Sequence, residues 1–163
     1  MFCFSYGSNM SLARLRERVP SAKFVAVASL AGHRLKFHKV SSDGSGKCDA
    51  ASTGNPRDCV LGVVFEISDS EKPALDQKEG LGSGYDEKDV KVVTAEEKTL
   101  RSKMYFATEV DSSLKPYHWY KEHVLVGARD NHLPAEYVKQ IEAVDTNDDP
   151  DRERCERELA IYL

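Results

Sequence analysis

The run at residues 59–67 (CVLGVVFEI) constrains the fold of this chain more than any other stretch. It is short, apolar and dense in β-branched side chains, which fit a pleated sheet better than a helix. It reads as a strand, and a strand needs partners. Residues 1–6, 23–30, 35–40, 89–94 and 101–108 supply them by their apolar or alternating pattern, the last two joined by a charged hairpin through Glu96 and Glu97. Helical spacing appears at 10–18, which Pro20 ends, at 69–78 with Pro73 in the first turn, at 116–126 and at 133–143. Residues 147–151 (NDDPD) break the last of these and offer an N-cap to a charged helical tail. Residues 41–58 are rich in Ser, Gly, Asp and Asn, and are expected to form a long, mobile loop. Strands in succession without regular intervening helices, followed mainly by helices, predict an α+β fold and disfavour a doubly wound parallel sheet. A chain of 163 residues is expected to form one domain over 1–163, with 150–163 as a C-terminal helical tail.

Charge and motif exclude several functions. The chain has 23 basic and 27 acidic residues, a net charge of −4, and no basic stripe, so nucleic acid is not expected as a ligand. No run approaches the ~18 apolar residues of a membrane span. The first residues lack the basic and apolar regions of a secretory signal, so a cytoplasmic location is expected. Cysteines at 3, 48, 59 and 155 form no C-x-x-C and are expected as free thiols. The five histidines show no metal-ligand spacing and read as surface or packing residues. There is no G-x-S-x-G elbow and no P-loop. Gly80, Gly82 and Gly84 follow a helix and precede a strand, the reverse of a dinucleotide loop. No metal and no cofactor is expected.

Two places remain. Tyr6-Gly7-Ser8-Asn9 lies between a strand and a helix, where small residues leave backbone N–H groups facing outward beside a helix N-terminus. Such a turn can hold a carboxylate or a developing oxyanion. Glu79 lies where a helix meets the glycine turn, able to project into a cavity. On composition alone the first also reads as a plain connection and the second as a solvated glutamate.

Taken together, the two signals resemble the γ-glutamylcyclotransferase (AIG2-like) family. Tyr6-Gly7-Ser8-Asn9 follows the first strand, and Asp76-x-x-Glu79-Gly80 comes some seventy residues later. Pro20-Ser21-Ala22, Gly62-Val63-Val64-Phe65, Val90-Lys91-Val92, and Gly127-Ala128-Arg129-Asp130-Asn131 with Leu133-Pro134 fit in order, from Met1 to about Asp149. Asn9 favours this branch over glutathione-degrading relatives, whose turn usually lacks it. Residues 49–56 depart from the pattern and bear on the choice of substrate.

The resemblance implies a small mixed β-barrel flanked by helices, and a small-molecule γ-glutamyl substrate that closes on itself to 5-oxoproline and releases an amino acid. It implies Glu79 as the acid and base. It implies substrate binding by Ser5, Tyr6, Gly7, Ser8 and Asn9, with Phe4 in the adjoining wall, and by Tyr120. Tyr85 and Tyr105 are further candidates for the pocket. The family includes homodimers. The resemblance also covers relatives acting on γ-glutamyl amines or on a γ-glutamyl biosynthetic intermediate. Two rivals stand beside it: a non-catalytic binding module that kept the scaffold, and a cysteine hydrolase built on Cys3 or Cys59.

Overall fold

The run at 59–67 does find a partner on each side. The computed structural model describes residues 1–163, and its strands are β1 (Phe2–Ser5), β2 (Lys23–Ala31), β3 (His33–Val40), β4 (Gly46–Ser52), β5 (Cys59–Glu66), β6 (Tyr85–Thr94) and β7 (Thr99–Ala107). β5 pairs antiparallel with β1, from Phe2↔Glu66 to Ser5↔Val63, and with β2, from Lys23↔Glu66 to Ala31↔Cys59. β2 continues to β6, β6 to β7, and a parallel contact at Cys3↔Lys103 closes the barrel in the order β1-β5-β2-β6-β7. Closure removes the free sheet edge that a short apolar strand such as β1 would otherwise expose. Val60, Val63, Val64, Phe65, Val92 and Met104 on its strands are each almost wholly buried, some inside the barrel and some, by the alternation of the strand, under the elements packed outside it.

Residues 41–58 are not one long loop. They contain β4, which pairs antiparallel with β3 as a two-stranded leaf beside the barrel. Asp49 ties the leaf down: its Oδ1 accepts from the Ala107 N–H at 2.9 Å and its Oδ2 lies 2.7 Å from His38 Nε2. Cys48 and Ala50 are each 2% exposed, so the strand is buried although its composition is that of a loop.

The helices are α1 (Leu12–Arg18), α2 (Lys72–Glu79), α3 (His118–Asp130), α4 (Ala135–Glu142) and α5 (Arg152–Leu159). α3 buries Trp119, Tyr120, His123, Val124, Leu125, Gly127 and Ala128. α5 begins at Asp151, whose side chain accepts from the Arg154 N–H. The C-terminal residues do not hang free. Glu158 pairs with Arg14 and approaches His123 Nε2 at 3.0 Å, while the Tyr162 hydroxyl lies 2.6 Å from His123 Nδ1. His123 is therefore a packing histidine with both nitrogens occupied. No helix is long and apolar enough to cross a membrane.

Candidate active site

β1 ends at Ser5 and delivers the chain into Tyr6-Gly7-Ser8-Asn9 at one end of the barrel. Gly7 is required there by close approach, since a Cβ would stand 2.9 Å from the Cys48 Cβ on β4. The expectation of a helix starting at residue 10 needs correction. Ser8–Met10 is a single 3-10 turn, and α1 begins only at Leu12, with Ser11 as its cap accepting from the Arg14 N–H. A helix dipole therefore does not point from this turn. What it offers is N–H groups: those of Gly7, Ser8 and Asn9 donate to no protein acceptor.

Glu79 is the last residue of α2. Gly80 adopts a left-handed conformation at φ 73°, its N–H bonds to Gln77 O, and the Leu81 N–H bonds to Asp76 O at 2.9 Å. This is the paired closure of a Schellman motif, which glycine permits without steric cost. It fixes the direction in which Glu79 leaves the helix. Asn9 Nδ2 donates to Glu79 Oε1 at 2.8 Å, and Arg18 donates to the same oxygen at 2.9 Å and to Asn9 Oδ1 at 2.9 Å. The turn, α1 and α2 are thus joined by three hydrogen bonds. The guanidinium also offsets the unfavourable placement of a carboxylate at a helix C-terminus. Glu79 Oε2 accepts no hydrogen bond from the protein.

One narrow cavity brings the expected residues together. Phe4, Ser5, Tyr6, Gly7, Ser8, Asn9, Glu79 and Tyr120 all line it, as do Tyr85 and Tyr105. Their hydroxyls differ in use. Tyr6 donates to Tyr105 O at 2.7 Å, Tyr85 to Cys48 O, and Tyr105 to Asp76 Oδ1. Each of these three holds the wall. Tyr120 Oη accepts from the Cys48 N–H at 3.0 Å. Burial pushes the pKa of all four phenols above the ordinary range, so they remain neutral.

Cys3 and Cys48 also reach the cavity. Burial pushes their thiols up to about 11 and about 12, although Lys72 opposes it at Cys3 and a Tyr120 hydrogen bond opposes it at Cys48. A nucleophilic thiolate is disfavoured at both, and Cys59 is exposed on β5 and does not line the cavity. This weakens the cysteine-hydrolase reading. No three His, Cys, Asp or Glu side chains gather in a metal-binding arrangement.

Sequence reasoning missed Arg18 and Cys48. Arg18 sits one turn after Arg14, both facing inward from a helix whose formula, with three arginines, looks like a solvated face. Cys48 lies within residues 41–58, whose composition is that of a loop.

Residues 59–141 match the AIG2-like family. The gamma-glutamylcyclotransferase of Homo sapiens is 36% identical over 153 residues, covering 89% of this chain and 79% of that protein. Its namesake from Bos taurus is 37% identical over 153 residues, with the same coverage. A solved structure titled gamma-glutamyl cyclotransferase superposes with a TM-score of 0.88 at 34% identity, covering 99% of this chain and 98% of that one. The chain belongs to the AIG2-like family. Within it, this is an enzyme of the γ-glutamylcyclotransferase type.

Proposed function

We propose that the enzyme acts on γ-glutamyl amino acids, converting the glutamyl part to 5-oxoproline and releasing the free amino acid, with Glu79 as the only proton carrier. The reaction is an intramolecular aminolysis. The substrate's α-amine attacks its own γ-carbonyl carbon, a C–N bond closes the five-membered ring, and the C–N bond to the leaving residue breaks. Glu79 carries two protons in turn from the α-nitrogen, which enters as an ammonium and ends as the lactam N–H, to the departing nitrogen, which leaves as an ammonium, so no proton is gained or lost overall. Nucleophile and electrophile are tethered, and well-oriented reactions of this kind reach effective molarities of about 10⁵ M or more. The protein has three tasks: to fold the glutamyl chain, to move the proton and to stabilise the oxyanion.

The unpaired N–H groups of Gly7, Ser8 and Asn9 suit the first and third tasks. Ser5, Tyr6 and Tyr120 shape the wall around them. The observation that carries the reading is the Glu79 carboxylate itself. One oxygen is held by Asn9 and Arg18, the other is unoccupied, and the group lines the same cavity as the turn.

The test is Glu79→Gln, which keeps the accepting Oε1 and removes the proton carrier. Incubation with γ-glutamyl-alanine, followed by chromatography for 5-oxoproline, is expected to show kcat reduced by ~10²–10⁴-fold. Calorimetric binding of the substrate is expected to stay nearly intact. Full activity in this variant would remove the proposed role, and absence of 5-oxoproline with the unaltered enzyme would remove the reaction.

A further inference from the structure

Outside the narrow cavity lies a wider cleft that shares Ser8, Glu79, Tyr85 and Tyr120 with it. The inner space is about 40 Å³ and the outer about 560 Å³. A water needs ~10–15 Å³ by the same kind of measure, so the inner space takes only a few heavy atoms. A substrate whose glutamyl end enters there must place whatever is attached to its γ-carbonyl in the outer cleft.

That cleft is basic, lined by Arg14, Arg18, Lys39, Lys47 and Lys78. Three of these cations have partners: Arg14 pairs with Glu158, Arg18 with Glu79, and Lys47 with Asp43. Lys78 is exposed at the surface. Lys39 is different. It is 9% exposed, yet its ammonium makes no hydrogen bond and no ion pair. Its Nζ lies 4.6 Å from the centroid of the Tyr85 ring, a cation–π contact that supplies no acceptor. Its path to the cleft crosses Gly84, where a Cβ would stand 2.9 Å from both Cε and Nζ. The third glycine of the turn thus leaves room for this side chain. Its stem is buried, but Nζ itself opens to the cleft with three donors and no protein acceptor, a position that a ligand carboxylate can complete. Burial moves its pKa below the usual lysine range, opposed by the more distant Glu79, Asp43 and Glu109 carboxylates.

We propose that Lys39 is the anchor of a carboxylate subsite, binding the carboxylate of the leaving amino acid and so selecting γ-glutamyl amino acids over γ-glutamyl amines. This rests on the function proposed above and names the substrate class of that same site. No covalent step is added: the carboxylate is held while the C–N bond beside it breaks.

The experiment compares γ-glutamyl-alanine with γ-glutamyl-ethylamine, which has the same leaving skeleton without the carboxylate. kcat/KM is measured for both with the unaltered enzyme, Lys39→Met and Lys39→Arg. A charge-assisted hydrogen bond predicts a preference of roughly 10–100-fold for the amino acid, expressed mainly in KM. Lys39→Met is expected to bring the ratio toward one, and Lys39→Arg to keep most of it. Equal kcat/KM for the two compounds in the unaltered enzyme overturns the proposal. So does an equal loss on both in Lys39→Met, which would place the ammonium on the glutamyl part or in the proton transfer. Binding of both compounds to Glu79→Gln reads the same preference without turnover. A catalytic failure of the proposed reaction is thereby separated from failure of the subsite.

Discussion

Gly127→Ala sets helix propensity directly against packing. Gly127 is inside α3, and replacing an interior helical glycine by alanine normally stabilises by ~1 kcal/mol. Here the added Cβ would stand 2.5 Å from the Met10 Cβ and 2.6 Å from both the Met10 carbonyl carbon and the Ser11 nitrogen. Two of those three atoms are backbone, so no rotamer change relieves the overlap. The 3-10 turn Ser8–Met10 or α3 itself must move. The turn is further held to α3 by Asn131, whose Nδ2 donates to Met10 O at 3.1 Å and to Gly127 O at 2.7 Å. Overpacking of a tight site costs ~1–3 kcal/mol, and a clash with backbone belongs at the upper end. The net expectation is destabilisation by about 2 kcal/mol. For a chain of this length that lowers Tm by ~4–8 °C. Thermal melts followed by circular dichroism, with urea midpoints beside them, measure it. Because the displaced turn carries Asn9, 5-oxoproline formation should fall in the folded variant as well. A variant that melts at or above the temperature of the unaltered enzyme would refute the argument, since propensity would then have won and the close crossing of α3 over the turn would not be rigid.

Two further expectations concern charge. Arg18→Met removes the guanidinium that ties Glu79 to Asn9 and should lower kcat by ~10–100-fold through misorientation of the carboxylate, with Arg18→Lys recovering part of it; steady-state kinetics on γ-glutamyl-alanine checks this. The network under α5 should make the protein acid-sensitive. Burial pushes the His123 ring below its usual 6.5, against the Glu158 hydrogen bond. Burial alone would raise the Glu158 carboxyl from its usual 4.5, but the His123 hydrogen bond and the Arg14 charge outweigh it and hold it at about 2. Both groups bind fewer protons folded than unfolded, so stability falls as pH drops. The His123 contribution is lost from about pH 6.5 downward, and that of Glu158 between 4.5 and about 2, the latter on the order of 3 kcal/mol. Urea midpoints across this range should fall, and Glu158→Gln should flatten the lower part; identical pH dependence in the two proteins would contradict the assignment.

What could be read from the sequence follows from which residues carry local information. β5 was legible because Val60, Val63 and Val64 state a strand preference by themselves. Glu79 was legible because the glycine after it encodes the end of the helix, and that end aims the side chain. β4 was not legible. Its small residues, Gly46, Ala50 and Ala51, look like loop, yet at Gly46 smallness is required by the paired strand, since a Cβ there would stand 2.2 Å from the Phe37 carbonyl oxygen. The cations of the site were hidden for a different reason. Arg14, Arg16 and Arg18 are alike in sequence, and only the fold gives Arg18 a carboxylate and an amide to hold together. Lys39 follows Leu35 and Phe37 in strict alternation, so a lysine in an apolar row was the available signal. Alternation cannot say whether such a lysine meets a carboxylate of its own chain. In this fold it meets none, and that is why its partner is sought in the substrate.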